Sequence, residues 1–320
     1  MQDNQYNMRF FPRTFTLLVL LVFLSGAAGF GQKLYQKSFG QAGDPAIVFL
    51  HGGPGYNSAS FEVAAAAALA EKGYHVIVYD RRKTARSPVK KAKFTFREAE
   101  KDLKKVMKRA KVKKASLIGH SFGGALAIRF AGDHPKKVAN ILLVGAPLDY
   151  PATFVTIRNA CRKHYTTEGD TTNLRYMTLL DTMDNARLDY AVYCFAHAMS
   201  CGLYQPSVLS PEAKRIYGDM ASDPQARITM DSRQKPVKGF YNAHQYTTLN
   251  FTEDLKAILP SVPVFGIYGA EDGLFDDAAR EDLSVLLGKK DFRVVDAASH
   301  SVFIDQRAYF IELLNGFFRP

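Results

Sequence analysis

Short, continuous apolar runs alternate with amphipathic stretches along most of this chain. The runs at 46–50, 75–79, 115–118, 138–144, 263–268 and 291–296 are bounded by turn residues and read as strands buried on both faces. Between and after them, apolar residues recur at helical spacing near 58–72, 97–111, 122–133, 276–287 and 302–318. That rhythm predicts an α/β fold, a mostly parallel sheet with helices on both faces. The alternation breaks between Pro147 and Pro260, where helical periodicity continues with few strand signals. Ahead of residue 46 only Lys33 to Phe39 looks extended. A chain of 320 residues suits one α/β core carrying an insertion.

The predicted strand ends carry the candidate chemistry. Gly119-His120-Ser121-Phe122-Gly123 fits the G-x-S-x-G pattern and sits between a strand and a helix, where a sharp turn exposes the serine. Upstream, the strand Ala46 to Leu50 runs into His51-Gly52-Gly53-Pro54-Gly55, a loop able to present backbone N–H groups to a developing oxyanion. The expected donors are the N–H groups of Phe122 and Gly53. On its own the glycine-rich stretch would read as a simple turn. A serine hydroxyl needs a base and a group to orient that base, in the chain order Ser, acid, His. His300 follows the last strand and Asp272 follows the one before it. Ser121, Asp272 and His300 are therefore the expected triad, with Glu271 and Asp276 as competing acids. Singly, His300 would read as a loop histidine and Asp272 as a helix cap or turn residue.

With these residues in place the chain resembles the α/β-hydrolase superfamily, and its His51-Gly52-Gly53-Pro54-Gly55 loop looks most like the prolyl iminopeptidase branch. The resemblance runs from about Ile47 to the C-terminus. It includes Asp80-Arg81-Arg82-Lys83-Thr84-Ala85-Arg86-Ser87, similar to an Asp-x-Arg-Gly-x-Gly-x-Ser segment with Lys83 and Ala85 in place of its glycines. The elbow departs from the branch, because a His precedes the serine and the chain has no tryptophan, and Gly-His-Ser-x-Gly is typical of esterases and carbon–carbon bond hydrolases. The resemblance implies a core of residues 32–146 and 261–320 with a helical cap, 147–260, lying over the site. It implies an acyl-serine hydrolase of small amides or of the N-terminal residues of short peptides. A carboxylesterase, or a non-catalytic binding protein on the same scaffold, is the alternative. Such a triad calls for no cofactor or metal.

The cap determines substrate. Its aromatics Tyr165, Tyr176, Tyr190, Tyr193, Phe195, Tyr204, Tyr217, Phe240, Tyr241, Tyr246 and Phe251 line a pocket or form the cap's own core. In the iminopeptidases cap carboxylates bind the substrate's free amine; Glu168, Asp170, Asp181, Asp184 and Glu212 are available, but no motif assigns one to that role. Arg9 and Arg13, the apolar run Phe15 to Leu24 and the small residues Gly26 to Gly29 have the layout of a cleavable signal peptide over 1–31, with Met8 an equally good start. The run is shorter than the roughly 20 residues a span needs, so a periplasmic or secreted protein with no stable membrane anchor is expected. For an exported protein with three cysteines, Cys161, Cys194 and Cys201, one disulfide joining Cys161 to another is expected. Cys194 and Cys201 on one helix would lie about 10 Å apart along its axis, too far to bridge. A net charge of +11 collects around Lys90 to Lys114, where Lys101, Lys104, Lys105, Lys108 and Lys111 form the solvent face of an amphipathic helix. Export argues against nucleic acid as a partner.

Overall fold

The computed structural model describes residues 33–222 and 233–318; the expected signal peptide lies outside them. Strands β1 (Gln36–Phe39), β2 (Ala46–Leu50), β3 (His75–Tyr79), β4 (Ala115–His120), β5 (Val138–Val144), β6 (Val264–Gly269) and β7 (Phe292–Val295) form one sheet in the order β1-β3-β2-β4-β5-β6-β7. Only β1 runs antiparallel, on the edge beside β3. β3 is buried along its whole length and β2 and β4 nearly so, as strands covered on both faces must be.

The helices divide between the two faces. One face carries α1 (Phe96–Arg109) and α2 (Phe122–Asp133). The other carries the helical run Ala59–Phe61, Glu62–Ala66 and Ala67–Glu71, whose middle section has π-helical bonding, and the C-terminal helix Arg307–Phe318. Helix α1 buries Leu103, Val106 and Met107, and Thr95 caps it by accepting from the Glu98 N–H at 3.1 Å. Its lysine face is solvated, as the amphipathic pattern predicts.

Between β5 and β6 the chain leaves the sheet through α3 (Tyr150–Thr167), α4 (Thr171–Thr182), α5 (Leu188–Ser200), α6 (Pro211–Ser222), α7 (Gln234–His244) and α8 (Thr252–Ile258). The last returns to the sheet layer, where Asp254 pairs with Arg129 of α2 at 3.1 Å. α9 (Asp277–Leu287) links β6 to β7, and the predicted C-terminal helix is two, α10 (Val302–Asp305) and α11 (Arg307–Phe318), broken at Gln306. All three cysteines are free, so the expected disulfide is not formed.

Candidate active site

The carboxyl ends of β2, β4, β5, β6 and β7 bring the expected residues to one place. Ser121 sits between β4 and α2 with φ 52° and ψ −126°, a conformation a non-glycine residue holds only under constraint. Neighbouring glycines create room for it. A Cβ on Gly119 would lie 2.7 Å from Gly124 Cα, and one on Gly123 would lie 1.9 Å from the Leu50 carbonyl oxygen. The Ser121 N–H donates to the Val144 carbonyl at 3.0 Å, which docks the turn on the end of β5.

His300 Nδ1–H donates to Asp272 Oδ2 at 2.8 Å, with the carboxylate shielded from solvent. This fixes the tautomer and leaves Nε2, on the far side of the ring, as the basic atom. The competing acids are engaged elsewhere: Glu271 accepts from the Ser207 N–H at 2.6 Å, and Asp276 caps α9 by accepting from the Ala279 N–H at 2.8 Å. The elbow and the His–Asp pair meet at Gly145, the residue after Val144, where a Cβ would lie 3.1 Å from His300 Nδ1 and 3.2 Å from Asp272 Oδ2. Among the described residues Ser121 Oγ makes no hydrogen bond to His300, a contact that in free enzymes is often long and tightens around substrate. His120 supports the arrangement from behind. Its Nε2–H donates to the His300 carbonyl at 3.1 Å, and burial, aided by the neighbouring His300 imidazole, lowers its pKa to about 3, so it stays neutral.

Of the two expected oxyanion donors, Phe122 follows the serine in the chain and Gly53 follows Gly52, which packs on it. Phe122 opens α2, so its N–H has no partner within the helix and lies at the positive end of the helix dipole. Gly53 has φ +120°, and a Cβ there would strike Gly55 N at 2.3 Å, so the loop needs glycine at that point. Gly52 packs on the serine, its virtual Cβ 2.9 Å from Ser121 Cβ. Neither the Phe122 nor the Gly53 N–H has an acceptor among the described residues.

Three residues with no assigned role in the sequence also belong to this region. The Tyr204 ring packs edge-on against His300, 5.1 Å between centroids, and its neighbour Leu203 accepts through its carbonyl from Ser299 Oγ at 3.0 Å and the Gly273 N–H at 3.1 Å. The insertion is thereby bolted to the loops that carry Asp272 and His300. Asp305 accepts from the Ser299 N–H at 2.8 Å and Tyr217 Oη at 2.9 Å, and burial pushes its pKa up to about 6 against those hydrogen bonds. His51 is buried, its pKa driven well down by burial and by Arg81, and its Nε2 accepts from the Arg81 N–H at 3.0 Å. Tyr204 was marked by the sequence as one aromatic among many and His51 as the start of the glycine-rich loop; Asp305 was not marked. Tyr165, Tyr190, Phe240, Tyr246 and Phe251 are buried, whereas Tyr176 and Tyr193 are each 52% exposed. Among the cap acids, Asp181 pairs with Arg158 and Arg162, Glu212 with Arg307 at 2.7 Å, Asp170 and Asp184 accept from backbone N–H groups, and Glu168 is exposed.

Comparison with known proteins agrees with this architecture. A family model described as alpha/beta hydrolase fold matches residues 45–172. The chain is 32% identical over 114 residues to the putative carbamate hydrolase RutD of Variovorax paradoxus, covering 35% of this chain and 42% of that protein. It is likewise 32% identical over 119 residues to the proline iminopeptidase of Lactobacillus helveticus, covering 35% and 40%. The match thus spans about two fifths of the length of these curated relatives. Among solved structures, the proline iminopeptidase of Mycobacterium smegmatis superposes with a TM-score of 0.60 at 17% identity over 89% of this chain and 94% of that one. An esterase from Exiguobacterium antarcticum gives 0.59 at 17% over 90% and 96%. Residues 45–172 thus match the α/β-hydrolase family, and the sheet with its helical insertion has the fold of these solved structures. Within that family, proline iminopeptidases are among the proteins the chain is similar to.

Proposed function

We propose that this protein is an acyl-serine hydrolase of small carboxylic esters and amides. The observation that carries the reading is the 2.8 Å bond from His300 Nδ1–H to buried Asp272, set beside a serine on a strained strand-to-helix turn. In this reading His300 Nε2 takes the Ser121 proton as Oγ attacks the substrate carbonyl. The N–H groups of Phe122 and Gly53 hold the oxyanion, each worth roughly 3 to 4 kcal/mol in the transition state. His300 then protonates the leaving group, and water, deprotonated by the same imidazole, releases the acyl group and restores Ser121.

Esters are favoured over amino-terminal peptides, because the carboxylates the cap sequence offers for a substrate amine are paired, used as caps or exposed among the described residues. The second reading, an iminopeptidase, is supported by the His51 to Gly55 loop and by the relatives of that name. Turnover of nitrophenyl butyrate against proline-naphthylamide separates the two. Ester turnover and fluorophosphonate labelling, both abolished in Ser121→Ala, are expected. A folded wild-type protein that neither labels nor turns over either substrate would sink the proposal and leave a binding protein on a hydrolase scaffold. We further propose export, supported by the arrangement of Arg9, Arg13 and the apolar run Phe15 to Leu24. No helix among the described residues is long and apolar enough to cross a membrane. Sequencing the mature amino terminus tests it; an N-terminus at Met1 or Met8 in exporting cells would refute cleavage.

A further inference from the structure

Arg81 follows β3 directly, and its guanidinium is fully buried with no carboxylate in salt-bridge reach among the described residues. A buried cation is costly unless hydrogen bonds replace its water. Here the replacement comes from one loop. Nη1 donates to the His51 carbonyl, and Nη2 donates to the Gly52 carbonyl at 2.6 Å and the Pro54 carbonyl at 3.4 Å. The Arg81 backbone N–H adds the bond to His51 Nε2 at 3.0 Å, and His51 Nδ1–H donates back to the Gly52 carbonyl at 2.9 Å. The guanidinium carbon lies 5.5 Å from the centre of the Phe122 ring, so the same cation is also packed against the elbow. Its Nε makes no hydrogen bond.

The consequence follows from peptide geometry. In a planar trans peptide the C=O and the N–H of the next residue point in opposite directions. The Gly52 carbonyl is held on Arg81, so the Gly53 N–H is turned to the side away from it. A carbonyl bonded to a cation also polarises its peptide, which strengthens the N–H as a donor. Lysine would supply a point charge and could not span three carbonyls as a planar fork does.

We propose that Arg81 is the positioning residue of the oxyanion hole: it clamps the His51, Gly52 and Pro54 carbonyls and thereby aims and polarises the Gly53 N–H. Burial lowers its pKa to about 10, so the clamp stays charged at neutral pH. The inference rests on the acyl-serine reading, and the experiment separates the two. Wild type, Arg81→Lys and Arg81→Gln are compared for nitrophenyl butyrate kcat and KM and for the rate of fluorophosphonate labelling, on protein shown to be folded by circular dichroism. The expected result is a kcat about 100-fold lower in Arg81→Gln, with KM within about threefold and labelling slowed in parallel, and an intermediate loss in Arg81→Lys. Arg81→Lys keeps charge and most of the volume, so it reports where Arg81→Gln fails to fold. Either folded variant with wild-type kcat and labelling rate overturns the role of Arg81. A loss carried by KM alone overturns it too, since a misaimed oxyanion donor acts on kcat. An unreactive wild-type protein would instead refute the acyl-serine reading itself.

Discussion

Gly145→Ala perturbs the candidate site from its backbone side, and its size can be worked out from the coordinates. Gly145 has φ +50°, a left-handed conformation that costs an alanine about 1 kcal/mol. The new methyl would also lie 3.1 Å from His300 Nδ1, 3.1 Å from the His300 carbonyl and 3.2 Å from Asp272 Oδ2. All three neighbours are held by hydrogen bonds and must withdraw by a few tenths of an ångström, an overpacking cost of about 1 to 2 kcal/mol. The sum, about 2 to 3 kcal/mol, lowers Tm by roughly 5 to 10 °C in a domain of this size. Because the crowding falls on the His300–Asp272 bond, the proposed ester hydrolysis slows as well, its kcat falling by about 10- to 100-fold. Gly169→Ala is the control: Gly169 has φ +68° with nothing within 4 Å of the virtual Cβ, so it isolates the backbone cost. Thermal melts and nitrophenyl butyrate turnover on both variants give the comparison. Should Gly145→Ala lose no more Tm than Gly169→Ala and keep wild-type kcat, the crowding argument is wrong.

Asp80 accepts from Ser58 N–H, Ser58 Oγ, Arg86 N–H and the Arg86 guanidinium; burial works to raise its pKa, but the Arg86 hydrogen bond and neighbouring charges outweigh it and hold the carboxyl low. Asp80→Ala is expected to cost about 2 to 3 kcal/mol in urea unfolding at pH 7, because it removes the acceptor of the Ser58 groups and of Arg86 Nε and leaves the partly buried guanidinium with Glu62 as its remaining carboxylate partner. The Asp80 contribution is fully present above the unfolded carboxyl pKa near 4 and is lost as pH falls through the lower folded value. The gap between wild type and variant should therefore narrow below pH 4; a gap constant down to pH 2 would refute the linkage. Asp305 has the opposite sign: its folded pKa, about 6, lies above its ordinary value, so its ionisation opposes folding as pH rises from about 4 to 6. Asp305→Asn should gain Tm relative to wild type between pH 4 and pH 7.5, and an unchanged difference would refute it.

Local patterning along the chain sufficed for the sheet and for the order of the candidate catalytic residues. Strands buried on both faces are continuous apolar runs, and the glycines of the elbow and of the His51 loop mark places where no Cβ fits, so both are written locally. It did not decide which of Glu271, Asp272 and Asp276 meets His300, because all three lie within a few residues of one strand end. Only the crossing of the β6 and β7 loops, with Glu271 drawn to Ser207 and Asp276 to the start of α9, leaves Asp272 for the imidazole. The roles of Arg81, His120, Tyr204 and Asp305 were equally hidden. Each acts through partners between 27 and 180 positions away, except Asp305, whose link to Ser299 is local but whose link to Tyr217 is not. Periodicity records which face of an element is buried; which distant backbone atom a buried side chain will meet is fixed only when the layers pack.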